Sequence, residues 1–343
     1  MSKNKSKKPL IIVLTAFASL IAVLGIAVLG FIGYFRLSVN GYYKASEKAF
    51  KIPGLNDGFV AQGMHYDERE NVFFITGYDN DGDVSPVHLV NKDSGERVKS
   101  VKLLKADGTD FKGHAGGIAV NGAYVYVAGG ASKCIWVYSY NDIINAGDGG
   151  SVVCQGNFET KISDEDAVNV SCVTVEGDRL IVGEFYREPE YPTPDSHKMT
   201  TTAGDYNQAL GLEYKLDPIL GLASYGIVPV ATKAYSLPDA VQGIALHDGK
   251  IYVSTSWGLS FSRIYAYDES KCNQEGKLNY ITPLYALDSA SLVEDYKIAP
   301  MSEEISFVDG ELYVMCESAS KKYIFGNLIG ARWCYKTDLS KMK

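Results

Sequence analysis

The sequence predicts an all-β domain closed into a five-bladed β-propeller and carried on an N-terminal transmembrane helix, with a six-bladed ring as the alternative. Three observations point there. A phrase of strand, Gly/Asp/Asn turn and strand returns five times, at Gln62 (QGMHYDERENVFFI), Gly116 (GGIAVNGAYVYV), Ser171 (SCVTVEGDRLIV), Gln242 (QGIALHDGKIYV) and Glu303 (EEISFVDGELYV). A lone hairpin cannot bury its own apolar face, so a repeat of this length stacks on copies of itself. The last repeat runs out of chain after Lys336, whereas Lys48 to Pro53 (KAFKIP) resembles the strand ending Tyr235 to Pro238 (YSLP), and both lead into a Q-G phrase. The N-terminal strand therefore completes the last blade, which leaves no open sheet edge. Finally, period-two alternation with Gly/Asp/Asn turns holds throughout, and no segment beyond the N-terminus keeps a helical period.

Each blade parses into four strands. The phrase supplies the innermost, and the second follows its turn at 73–76, 124–128, 180–183, 251–254 and 312–316. Third strands rich in β-branched and aromatic residues fall at 86–90, 135–140, 211–216, 263–267 and 332–336. More polar outer strands are expected at 98–103, 152–158, 231–237 and 283–287. The longest interval between phrases, Ser171 to Gln242, contains the polar, proline-bearing stretch Arg187 to Gln208, read as a loop projecting from one face.

Ahead of the propeller (48–343), residues 1–9 form a basic tail with four Lys and no acid, and 10–35 are an uninterrupted apolar run closed by Arg36. About 20 apolar residues span a bilayer, and the excess of Lys keeps the tail in the cytoplasm. The expected arrangement is a single-pass anchor in the cell membrane with the propeller outside and 36–47 as a tether. A cleaved secretory signal is the rival reading, but the exit from the apolar run offers no A-x-A site. Formal net charge is −8, and the first 36 residues contribute +5, so the exported part carries −13. An acidic domain without a Lys/Arg cluster disfavours nucleic acid and polyanions, and leaves neutral or cationic ligands. The six cysteines suit an oxidising compartment, with Cys134–Cys154 and Cys316–Cys334 expected as bridges across hairpins and Cys172 and Cys272 free; six reduced core thiols are the alternative.

In a propeller the polar residues at the inner-strand starts ring the mouth of the axis. Here these are Gln62, His114, Asn169, Ser171, Gln242, Ser302, Glu303 and Glu304, with Tyr78, Glu184, Tyr186, Ser256, Trp257 and Glu317 at the second-strand ends. Amide and carboxyl groups beside aromatic walls are the usual form of a small-molecule site. We take Gln62, His114, Asn169, Glu184, Gln242, Trp257 and Glu303 as candidate ligand-binding residues, with Trp257 as a surface on which a sugar would stack. Alternation should let only one of Glu303 and Glu304 face the axis, and alignment with Gln62 and Gln242 selects Glu303. A carboxylate there is costly unless paired, protonated or bound to a cation. Glu303 and Asn169 are the candidate metal ligands and Ca²⁺ the candidate ion; a structural hydrogen-bond network is the alternative. His114, flanked by glycines, is the candidate general base or else a structural histidine. His65, His88, His197 and His247 have no partner at metal-ligand spacing. Asp79-Asn80-Asp81-Gly82-Asp83 lacks the first and last ligands of a calcium loop and reads as a solvated turn.

The segments QGM, GHAGGIAV, VQGIAL, STSWG and MSEE resemble a group of exported bacterial β-propellers of unassigned function over about Ile52 to Lys336. More distantly, the chain is similar to gluconolactonase and strictosidine-synthase-like propellers. That resemblance implies a catalytic divalent ion held in the channel, for which Glu303 and Asn169 match and no Asp does. The functions expected are binding of a small molecule or glycan at the channel mouth, metal-assisted lactone or ester hydrolysis, or a protein-interaction scaffold.

Overall fold

Five sheets surround a common axis in the computed structural model, which describes residues 8–130 and 132–342. The start of the basic tail, with Lys3, Lys5 and Lys7, lies outside the described residues. From the inside outward, blade 1 is Phe59–Asp67, Val72–Asp79, Pro86–Asn91 and Arg97–Leu104; blade 2 is Ile118–Asn121, Tyr124–Ala128, Cys134–Ser139 and Gly156–Glu159. Blade 3 is Cys172–Glu176, Arg179–Gly183, Ala209–Leu216 and Ile227–Leu237, and blade 4 is Val241–His247, Lys250–Thr255, Ser262–Asp268 and Leu292–Ile298. Blade 5 is Ser302–Val308, Glu311–Cys316 and Trp333–Thr337, and its outermost strand is the N-terminal Ser46–Lys51. Each inner strand touches the next, and that of blade 5 touches that of blade 1, so the ring is closed.

The local chemistry explains the hairpins. At Asp248-Gly249 and Asp309-Gly310 both turn residues have positive φ (47° and 70°, 53° and 80°), the geometry that matches the twist of antiparallel strands and favours Asp-Gly. Because blades pack face to face, the second strands are buried on both sides. Val72 to Thr76 are all buried, which is why they read as a continuous apolar run.

Strap and anchor form one unit. Helix α1 (Lys8–Ser38) presents residues 11–30 entirely to the outside and packs only its last turns, with Phe35 and Val39 buried. The segment read as a tether is structured: α2 (Asn40–Ala45) buries Tyr42 and Ala45, the Tyr42 ring lying 5.8 Å from Tyr335. The chain then turns into the strap, where Lys48 pairs with Tyr335, Phe50 with Cys334 and Lys51 with Trp333. Phe50 is buried and sits 5.0 Å from Phe73 of blade 1, so the strap ties blade 5 to its neighbour as well as completing it.

Two outer strands differ from expectation. Residues 152–158 split: Ser151–Val153 runs parallel to the edge of blade 1, and only Gly156–Glu159 pairs with blade 2. The expected 283–287 strand also belongs elsewhere, since Thr282–Ala286 lies parallel to the edge of blade 3, and Leu292–Ile298 closes blade 4. Gln274–Leu278 then pairs antiparallel on the other side of Thr282–Ala286, Lys277 opposite Pro283, so that blade 3 carries six strands. The expected disulfides are absent, and all six cysteines are free. The strand register separates the first pair, because Cys134 faces Glu159 while the Cys154 thiol, ahead of the outer strand, donates to the Val137 carbonyl at 3.3 Å. Between Glu311–Cys316 and Trp333–Thr337 the ladder stops at Val314↔Tyr335, so Cys316 and Cys334 lie beyond it, and the Cys334 sulfur rests 3.7 Å from that of Met64.

Phe50→Ala is expected to cost about 3–5 kcal/mol of unfolding free energy, as aromatic truncations in a packed core do. Glu47→Ala on the same strand, at an exposed side chain, should stay within about 0.5 kcal/mol. Denaturant unfolding of the full chain checks the pair; equal losses would mean that the strap is not part of the core.

Candidate functional site

A bulge repeated at the entry of three inner strands builds the mouth of the axis. The ladder skips between Ala61 and Gly63 in blade 1, between Val241 and Gly243 in blade 4, and between Ser302 and Ile305 in blade 5. Gln62, Gln242 and Glu303 are the inserted residues, which re-aims their side chains. The bulge also corrects the alternation argument: Glu303 and Glu304 both point inward, each only 1% exposed.

Glu304 occupies the axis itself. Its Oε2 accepts the backbone N–H of Met64 (3.0 Å) in blade 1 and of Ile118 (3.0 Å) in blade 2. Burial drives its pKa well above the usual carboxyl range despite those donors. Around it the inner strands touch backbone to backbone. A Cβ on Gly63 would stand 2.8 Å from Ile118 N, and one on Gly243 would stand 2.6 Å from the Cα of Glu304. Glycine is required at both by close approach, and one carboxyl group with this backbone packing fills the axis.

Above the plug lies an acid pair. Gln62 Nε2 donates to Glu317 Oε2 at 2.9 Å, while Glu303 Oε1 is buried with no hydrogen-bond partner. Burial, reinforced by the charges of Glu317 and Glu304, holds the Glu303 pKa well above its ordinary value, and burial pushes Glu317 up to about 7. A cap covers the pair. Lys322 donates to the Tyr78 hydroxyl (2.6 Å), and its ammonium lies 5.0 Å from the ring centres of both Tyr78 and Tyr323. His114 stacks on Tyr78 at 4.5 Å, and desolvation followed by the nearby Lys322 charge lowers its pKa. A neutral imidazole at the rim, a carboxyl near pH 7 beneath it and an unsatisfied acceptor at the floor together offer both donors and acceptors to a polar solute.

Asn169 and Glu184 belong to a different cluster. Glu184 is fully buried in blade 3; its Oε1 accepts from the Asn169 backbone N–H (3.0 Å), and its Oε2 from Leu210 N (3.1 Å) and His197 Nδ1 (2.7 Å). His197 Nε2 lies 2.9 Å from Asp166. Burial disfavours its protonation, but the two carboxylates outweigh burial and raise its pKa. This buried bridge pins the long 187–208 loop to blade 3. No spacing in the sequence signals it, because its three members come from three separate segments.

The remaining candidates are dispersed. Gln242 is half-buried at the blade 4 bulge. Trp257 stands at the outer rim of the same face, 5.9 Å from Phe185 and 6.1 Å from Tyr191, with the Arg187 guanidinium 5.5 Å over its ring. The Asp79–Asp83 turn is self-satisfied, Asp79 Oδ1 accepting from Asp81 N (2.8 Å) and Asp83 N (3.3 Å). Among the described residues no three His, Cys, Asp or Glu side chains converge as metal ligands. Glu303 with Glu317 falls short of the six to eight oxygens that Ca²⁺ takes, so the donor set does not fit that ion.

No family model matches the chain, and no curated protein matches it. Solved structures similar to it include the glutaminyl cyclase of Myxococcus xanthus (10% identity, 85% of this chain and 94% of that chain, TM-score 0.42). A GH43_1 enzyme of Xanthomonas citri is similar over 88% and 92% (13% identity, TM-score 0.43), and a luciferin-regenerating enzyme over 84% and 95% (14% identity, TM-score 0.44). At such identities and scores these likenesses carry nothing about chemistry. The chain is thus a five-bladed β-propeller with one N-terminal apolar helix long enough to cross a membrane.

Two outcomes test the axis. Glu304→Ala strips the acceptor from buried backbone donors and should lower stability by about 2–5 kcal/mol, while Glu304→Gln, which keeps a carbonyl there, should lose clearly less; thermal melts compare them. The folded state holds the Glu317 proton more tightly than the ordinary pKa of 4.5 allows, so its contribution is complete below pH 4.5 and lost as pH rises through about 7. A change on the order of 3 kcal/mol corresponds to that shift. In Glu317→Gln the decline of melting temperature across this window should shrink; an unchanged slope would exclude Glu317 as its source.

Proposed function

We propose that the protein is an exported, membrane-anchored binding module that takes a small, neutral, hydroxyl-bearing ligand of sugar-like chemistry at the axial mouth. The carrying observation is the buried acid pair: Glu303 Oε1 without a partner beside Glu317, under the Tyr78, Tyr323 and His114 rings. A buried polar atom left unpaired costs about 1–3 kcal/mol, which a ligand hydroxyl would recover. With Glu317 pushed up to about 7 and burial holding Glu303 well above the ordinary carboxyl range, the pair is at least partly neutral at physiological pH, which favours hydroxyl groups over a strongly solvated cation. Lys322 and Tyr323 belong to the 317–332 connection and would have to move aside on entry. Anchoring is supported by α1, whose residues 11–30 leave side chains such as Ile12 (68% exposed) and Leu29 (69%) bare. Mean hydropathy over the span is 2.8. Such a stripe suits hydrocarbon and not water.

A thermal-shift panel of mono- and oligosaccharides against the detergent-purified full chain tests the reading. At least one sugar should raise the melting temperature dose-dependently, and Glu303→Gln with Tyr78→Ala should abolish that rise while the protein stays folded. No stabilisation by any member of a broad panel would overturn it.

A further inference from the structure

The direction in which α1 leaves the propeller decides which face meets the bilayer. Phe261 and Phe325 lie in the second-to-third-strand connections of blades 4 and 5, at the same end of the blades as Trp257, Glu317 and the acid pair. Phe31 and Phe35 pack on Phe325 at 6.3 and 6.4 Å, and Tyr34 and Phe35 on Phe261 at 5.6 and 5.4 Å. From there the chain descends along blade 5 through buried Val39, Tyr42 and Ala45, and reaches the opposite end where Ser46 pairs with Thr337. Everything before Phe31 therefore stands above the mouth face.

The exposed stretch 11–30 is about 30 Å long as a helix, the thickness of a hydrocarbon core. It ends level with the loops of blades 4 and 5, so no spacer separates those loops from the membrane. Their chemistry suits that position. Leu259 (57% exposed), Ile324 (65%) and Leu328 (46%) are bare apolar tips. Trp257, Phe261 and Phe325 form an aromatic belt with Tyr34, and the Lys297 ammonium lies 3.9 Å over the Phe261 ring. Lys321 and Lys322 are exposed beside them. A cleft of about 620 Å³ between Tyr34, Phe35 and the 257–261 loop opens on this rim. Aromatic rings, snorkelling lysines and bare aliphatic tips at the end of an apolar span are the composition of a membrane interface. The acidic Asp79–Asp83 turn shares the face on blade 1, which tilts contact toward blades 4 and 5.

Resting on the anchored reading above, we infer that the blade 4 and 5 rim of the mouth face docks on the outer surface of the bilayer that α1 spans, so that the acid-pair end of the axis faces the headgroup layer. Single-tryptophan full-length protein, with Trp257 kept by W136F and W333F, is reconstituted in phosphatidylcholine vesicles containing lipids brominated near the glycerol. Trp257 emission should fall several-fold more than that of a Trp136-only variant, and Leu259→Glu with Ile324→Glu should relieve the quenching. Protein that floats with vesicles while Trp257 emission matches that of Trp136 overturns the docking and leaves the anchor standing. Protein that fails to float overturns both.

Discussion

Closure of blade 5 by the strap is the constraint on which the rest depends. An open ring would expose the edge of Trp333–Thr337 and free the blade 5 inner strand from its place beside blade 1. Glu303 and Glu304 sit on that inner strand. Pairing along five positions of the strap, together with Phe50 against Phe73, therefore fixes where two buried carboxyl groups meet the backbone of the other blades. The apolar helix and the strap are covalently continuous through α2, so the same stretch of chain that carries the apolar span also locks the ring.

Much of this organisation was legible in the amino-acid order, since a blade is a local object. Each hairpin phrase announces its strands through alternation, three of the five through an Asn-Gly or Asp-Gly turn as well, and the YSLP and KAFKIP likeness pointed to the strap. Outer strands were harder to place because they are polar and weakly patterned. Thr282–Ala286 and Ser151–Val153 add parallel strands to neighbouring blades, a long-range choice that no local signal records. The thiol pairs failed for a related reason: a hairpin suggests proximity, but register decides which residues face one another.

At the site, position was readable and direction was not. Gln62, Gln242 and Glu303 were found by their alignment, yet a period-two argument assigns Glu304 to the wrong side, because the bulge inserts one residue and turns both carboxyls inward. Glu184 and Asn169 carried the right residue types for a ligand shell, and the structure instead gives Glu184 to His197 and the loop it secures. His197 has no partner at close spacing in the sequence, and its partners lie 13 and 31 residues away in the chain. The cap of Lys322 and Tyr323 lies in a connection with no repeat counterpart, which kept it out of any alignment of blades.

The glycine-lined, carboxyl-filled axis has a further consequence for traffic. Many ring-shaped folds offer a tunnel, but here Glu304 and the glycine backbones around it fill the centre. The two flat sides of the disc therefore cannot exchange ions or small molecules through its middle.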